Sequence, residues 1–334
     1  MVHSRNTVTA AALTAGLFLL TACGGDDGGS AAADGSGDTV EVGVLFAGSL
    51  SDQGFMQSGH LGYQRAEKTH AGKATFSKAE QIAAADYEQA LVRFATSSDL
   101  VISLGGQTDA AVRKVAPRFP KVKFVEIGGP ADGKPLANLA LYDPQQAQAA
   151  FLSGAASALV SEKDTVGFVG GAELPAIVNA SKEFANGAKA AAPGVKILPP
   201  QYPGDFNDVA KAKQSALADF GAGADVLGQI LNLGNKGLAQ AATQRGGKVI
   251  GGPIPGTCGT DPAYAGYVTT DIGAEIEYAV EHALAGTWKA ENVKFGLTAD
   301  EPANDIELCD ADPADQATLD GLKQQIADGK ITTL

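Results

Sequence analysis

The chain predicts an α/β protein of two lobes, each a parallel sheet flanked by helices. Three observations carry this reading. Near-continuous apolar runs of strand length alternate with amphipathic stretches from Val40 onward, most runs end in one or two glycines, and the pattern restarts at Val166. Continuous apolar strands, rather than alternating ones, belong to sheets covered by helices on both faces.

The strands are read in order as VEVGVLFAG from Val40, DLVISLGG from Asp99, VKFVEIGG from Val122, TVGFVGG from Thr165, ADVLGQIL from Ala224 and KVIGG from Lys248. Helices are expected over 56–70, 86–97, 108–119, 145–160, 176–192, 209–221 and 236–245. Asp143 before Pro144 and Asn207 before Asp208 read as helix starts, since Asp and Asn side chains accept from free N–H groups of a first turn. A strand over 264–270, a helix over 274–284 and an irregular tail complete the chain. In open parallel sheets a ligand lies beyond the carboxyl ends of the strands. The loops to watch are therefore 49–55, 105–108, 128–130, 172–179, 232–236, 253–258 and 269–271.

The N-terminus carries a different message. Arg5 precedes an uncharged apolar run from Val8 to Leu20, followed by Leu20-Thr21-Ala22-Cys23. A run this short suits a secretory signal better than a membrane span. The ending resembles a bacterial lipobox, which implies removal of 1–22 and lipidation of Cys23. Residues 23–38 hold no large apolar side chain and read as a flexible tether. Of three cysteines, Cys258 and Cys309 remain, and in an exported protein they are expected to pair. A length of 334 residues leaves room for about two domains, and 45% hydrophobic with 19% charged residues is globular. Losing Arg5 takes the formal charge from −13 to −14. That balance argues against nucleic acid, which needs a basic surface.

The sequence holds no P-loop, no HExxH, no G-x-S-x-G elbow and no strand leading through G-x-G-x-x-G into a helix. Its four histidines have no ligand spacing, and His60 and His70 are expected on an exposed helix face. No catalytic residue, metal or cofactor is expected.

Leu50-Ser51-Asp52-Gln53-Gly54-Phe55 resembles the opening motif of the basic membrane protein (BMP) family of substrate-binding lipoproteins. Asp99-Leu100-Val101-Ile102, Phe151-Leu152-Ser153-Gly154, Gly167-Phe168-Val169-Gly170-Gly171, Gly204-Asp205-Phe206-Asn207-Asp208, Gly223-Ala224-Asp225-Val226 and Gly286-Thr287-Trp288 match further family segments in order. The resemblance implies a type I periplasmic binding protein fold with a multi-strand hinge. It assigns 39–143 with about 272–295 to one lobe, and 144–271 with about 296–334 to the other.

It also implies the function: a monomeric, lipid-anchored receptor on the outer face of the cytoplasmic membrane, passing a solute to an ABC permease. The family's best-understood members bind purine nucleosides, and Phe55 falls where their base-stacking phenylalanine stands. Several of their polar positions are changed. Their base-reading aspartate falls on Phe46, the aspartate ending the fourth strand on Gly128, a second stacking phenylalanine on Ala180, the ribose-binding aspartate on Pro253, and a late lysine near Gly273. A nucleobase-like planar heterocycle is therefore expected over a nucleoside. The expected ligand set is Phe46, Ser51, Asp52, Phe55, Met56, Gln107, Thr108, Glu173, Asn179, Asn232 and Asn235. A lipoprotein signalling to a membrane kinase, or a cleft enzyme such as a nucleoside hydrolase, are the alternatives. A cytoplasmic repressor of the same fold is excluded by the signal and by the lack of a DNA-binding segment before the first strand.

Overall fold

The computed structural model describes residues 39–130, 132–298 and 302–334. The signal, Cys23 and the tether lie outside the described residues.

The chain opens with β1 (Val40–Phe46), α1 (Phe55–Thr69), β2 (Ala74–Ala79), α2 (Tyr87–Ala95), β3 (Leu100–Leu104), α3 (Asp109–Val115), β4 (Lys123–Ile127) and β5 (Leu139–Asp143). It continues through α4 (Gln146–Leu159), β6 (Thr165–Gly170), α5 (Pro175–Ala191), β7 (Lys196–Ile197), α6 (Val209–Gly221), β8 (Val226–Ile230), α7 (Asn235–Arg245), β9 (Lys248–Gly251) and β10 (Tyr264–Thr270). It ends with α8 (Ile272–Leu284), β11 (Asn292–Lys294), β12 (Asn304–Leu308) and α9 (Pro313–Ala327). Two six-stranded sheets result, ordered β11-β5-β4-β3-β1-β2 and β12-β10-β9-β8-β6-β7. All pairings are parallel except β10 with β12. The protein is thus a two-lobed α/β molecule of the type I periplasmic binding protein kind.

The apolar runs form the sheet centres. β3 and β6 are buried along their whole lengths. α1 buries Met56, Gly59, Gly62, Tyr63 and Ala66, a stripe at helical spacing that packs on β1 and β3. Carboxylates set several helix starts. Asp208 accepts from Lys211 N–H at 3.0 Å, Asp271 from Gly273 N–H at 2.9 Å, and Asp312 from Ala314 N–H at 2.8 Å.

Three expectations are corrected. The tail is not irregular: it supplies β11, β12 and α9. β12 alternates buried and exposed positions as a half-buried antiparallel edge strand, so it carries no apolar run. The cap of α6 is Asp208, not Asn207, and α4 begins two residues beyond Pro144, with Asp143 accepting from Gln145 N–H at 2.8 Å. His60 is half-buried rather than exposed, its ring centroid 6.0 Å from those of Phe46 and Tyr63.

Among the described residues the chain passes between the sheets at 143–146, at 270–272 and between β11 and β12, and these passages are bonded together. Asn304 Nδ2 donates to the carbonyls of Pro144 (3.3 Å) and Gln145 (3.1 Å). Phe295 N–H donates to Asp143 O at 3.0 Å, and Asp271 N–H to Ala303 O at 2.8 Å. The Ser58 hydroxyl donates to Thr270 O and accepts from Ile272 N–H, both at 3.1 Å, which ties the second passage to α1.

Cys258 and Cys309 form a disulfide that joins the loop after β9 to the end of β12 across 51 residues of sequence. For a loop of that length the chain-entropy model gives about 4 kcal/mol. A Cys258→Ser/Cys309→Ser variant is expected to lose about that much in urea denaturation; an unchanged midpoint would show that the loop draws its order from elsewhere.

Asp219 of α6 is buried against Gly167, with Oδ2 lacking a partner. Burial pushes its carboxyl from 3.8 up to about 7. An acid that holds its proton longer when folded contributes fully below the unfolded pKa, and that contribution fades as pH rises through the folded one. Melting of the wild type should therefore fall between pH 3.8 and about 7 relative to Asp219→Asn. Parallel pH profiles of the two proteins would remove Asp219 as the cause.

Candidate functional site

The carboxyl ends of the two sheets face one another across a chamber of about 250 Å³. The first lobe contributes Phe55 and Met56 from the start of α1, 105–107 after β3, and 128–130 after β4. The second contributes Gln146 at the start of α4, 174–177 at the start of α5, Phe206 before α6, Ile230 at the end of β8 and Asn232 just beyond it. A narrower recess of about 40 Å³ continues behind Phe55, Gln146, Ile230 and Asn232 toward Ser153, Gln229, Pro253 and Thr270. A second annex of about 30 Å³ opens past Gly128, Gln146 and Ala176 to Asn179.

Among the described residues, no ionisable side chain lines the chamber. Its polar side chains are Gln107, Gln146 and Asn232, and two aromatic rings, Phe55 and Phe206, enter from opposite lobes. Phe55 is seated by Gly128: a Cβ there would lie 2.8 Å from the ring's Cζ, and Gly128 has φ +82°. The ring therefore rests against backbone at a position that glycine alone fits well. Phe206 lies over Gly171, where a Cβ would meet its Cδ1 at 2.1 Å.

Four of the sequence-selected residues meet in the chamber wall: Phe55, Met56, Gln107 and Asn232. Asn179 borders the annex. Asp52 does not reach the chamber. Its buried carboxylate accepts from the N–H groups of Gly54 (2.8 Å), Gln57 (3.0 Å) and Met56 (3.2 Å), and so shapes the loop that presents Phe55. Thr108 turns its hydroxyl to Gly105 O at 2.9 Å and braces its own turn. Ser51 is exposed and faces Ser49, and Glu173 is exposed outside the wall. Asn235 opens α7, its Oδ1 buried without a partner, and it too stands outside the wall.

Phe46 is a correction. It points into the first lobe's core, fully buried beside His60 and Tyr63, because as an inward residue of β1 it lies under α1 rather than beyond the strand end. The second aromatic of the chamber is Phe206, which the sequence reading passed over. Its signal was an aromatic in the loop leading to α6, in Gly204-Asp205-Phe206-Asn207-Asp208. Gln146, Pro175 and Ile177 were also missed. They sit in first turns of helices, where sequence periodicity speaks for the core.

Buried carboxyls lie near the site without entering it. Glu126 on β4 packs against the Cα of Gly129 beneath the chamber wall, neither oxygen bonded. Burial, reinforced by Asp109, pushes it well up. Glu275 on α8 is fully buried and unpartnered, and burial with the nearby charge of Asp143 does the same. In both, burial disfavours the charged form. Among the described residues no cluster of three or more His, Cys, Asp or Glu is placed to hold a metal, and no helix is long and apolar enough to cross a membrane.

Residues 39–301 match the model of a family described as ABC transporter substrate-binding protein PnrA-like. A purine-binding protein of Brucella abortus is 25% identical over 286 residues, covering 84% of this chain and 78% of its own. An ABC transporter nucleoside-binding protein of Lactococcus lactis is 28% identical over 229 residues, covering 66% and 63%. In fold, the chain is similar to a solute-binding protein of an ABC transporter system from Conexibacter woesei, with a TM-score of 0.72 at 22% identity, covering 89% of this chain and 99% of that one.

Proposed function

The chain belongs to the PnrA-like family of ABC transporter substrate-binding proteins, and on that premise we propose that it captures a small, uncharged, planar heterocycle of the nucleobase kind outside the cytoplasmic membrane and delivers it to an ABC permease. The family is one of binding proteins, not of enzymes. The observation that carries the ligand class is the chamber itself, walled by Phe55 and Phe206 from opposite lobes with only neutral polar side chains between them. Aromatic faces suit a flat ring, whatever its exact substituents. A volume of about 250 Å³ lies below that of drug-sized sites, roughly 300–1,000 Å³. The purine- and nucleoside-binding relatives support the same class.

A free base is favoured over its nucleoside by the recess. It is about 40 Å³ and presents Pro253 where the family resemblance calls for a carboxylate. A sugar hydroxyl left without its acceptor costs about 1–3 kcal/mol, which for two hydroxyls is roughly tenfold or more in affinity. Membership in the family implies an extracytoplasmic protein, and the proposed tether is a lipid on Cys23.

Titration calorimetry with adenine, guanine and hypoxanthine and with their nucleosides tests the ligand class. A base is expected to bind at least tenfold tighter than its nucleoside. Phe55→Ala is expected to weaken it by about 1–3 kcal/mol, the worth of one stacked base. Submicromolar nucleoside binding with the base far weaker would restore the nucleoside reading. For the tether, Cys23→Ser is expected to leave an uncleaved precursor or to release the protein from membranes, and unchanged lipid labelling would defeat it.

A further inference from the structure

The start of α1 offers four successive N–H groups, and three are taken by one residue. Asp52 binds those of Gly54, Met56 and Gln57. The fourth, Phe55 N–H, is left to the opposite lobe, where it donates to Asn232 Oδ1 at 3.2 Å. Asn232 is itself fixed. Its N–H donates to Phe206 O at 2.9 Å, and its carbonyl accepts from Asn235 N–H at 3.0 Å. One residue thus bonds to the backbone of both aromatics that wall the chamber, and it lines both chamber and recess.

The approach is close enough to constrain its neighbour. A Cβ on Gly54 would lie 2.0 Å from Asn232 Oδ1 and 2.9 Å from Asn232 Cα. The second distance is to backbone, so rotating the side chain would not clear it.

We propose that Asn232 is a positioning residue that clasps the two lobes: on closure its Oδ1 completes the Phe55 N–H, sets the Phe55 ring against the Phe206 wall, and depends on a glycine at 54. Closure and assembly of the aromatic site are then one event. When the lobes part, Phe55 N–H passes to water while its neighbours keep Asp52, so the clasp adds a bond in the closed state alone. The proposal rests on the lobes' geometry and not on which ligand binds.

The clasp is expected to keep the ligand-free chain closed for most of the time, and amide hydrogen exchange on that chain is the test; a wild-type Phe55 amide that exchanges as fast as one open to water would overturn it. Asn232→Ala is expected to speed exchange at Phe55 at least tenfold while Gly54, Met56 and Gln57 keep their protection. Asn232→Asp, which retains the acceptor oxygen, is expected to restore it. Gly54→Ala should raise the radius of gyration in solution scattering. Unchanged exchange at Phe55 in Asn232→Ala, or equal loss at all four amides, would overturn the clasp, the latter marking a merely structural role. In a second arm hypoxanthine is the probe, and its dissociation from Asn232→Ala should be faster than from wild type. If hypoxanthine fails to bind the wild type, the ligand reading fails while the exchange arm still decides the clasp.

Discussion

Everything about this molecule depends on how the chain passes between its two sheets. A parallel sheet puts all its strand ends on one side, and two such sheets share a ligand only if something holds their ends face to face. Among the described residues three passages do so, and they are bonded laterally through Asn304, Asp143, Asp271 and Ala303. A single strand would allow the lobes to twist freely. Three parallel tethers, cross-bonded near Pro144 and Ala303, restrict relative motion to opening and closing of the cleft. Ser58 extends this constraint into α1, the helix whose first residue is Phe55. The chamber-lining Phe55 ring and the hinge are thus three residues apart on one helix.

The positions at which the chain departs from the nucleoside-binding pattern make structural sense together. Gly128 gives up a side chain and gains the Phe55 ring against its backbone. Gly273 lies with its Cα against Gly62 where α8 crosses α1, and a Cβ there would stand 2.6 Å from Gly62 N and Cα. A lysine would require those helices to separate. Ala180 is fully buried on α5, while Phe206 supplies the second lobe's ring from the loop before α6. The chamber thus takes its second ring from the loop before α6 rather than from α5.

Much of the architecture was legible because parallel strands buried on both faces advertise themselves as apolar runs. β1, β3, β4, β6, β8 and β9 are all of this kind, and the helices between them start or end within a few residues of expectation. What escaped were the edge strands and β5, an interior strand whose apolar run LALYD is only five residues long. β2, β7 and β11 are short or half-exposed, and β12 reads NDIEL, whose alternation is a weak signal over five residues. The site was legible only as a set of loops. Which loop residue turns inward depends on contacts far apart in sequence. Asp52 looks like a ligand-reading carboxylate, yet three local N–H groups claim it. Asn232 reads in the sequence only as one polar loop residue among several, and what sets it apart is its bond to Phe55, 177 residues away.

Charge supplies the last step. The chain carries 38 acidic against 25 basic side chains, yet among the described residues none of either kind lines the chamber. The nearby carboxyls Glu126 and Glu275 lie outside the wall, and burial pushes both well above the usual carboxylate range. A net negative protein repels anions at long range, and a chamber without cations offers no local compensation. A phosphorylated ligand would meet both penalties and a neutral ring neither. On the proposed reading, the field of the whole molecule would favour uncharged solutes before contact, and the two phenylalanines and three neutral polar side chains of the wall would complete the choice at contact distance.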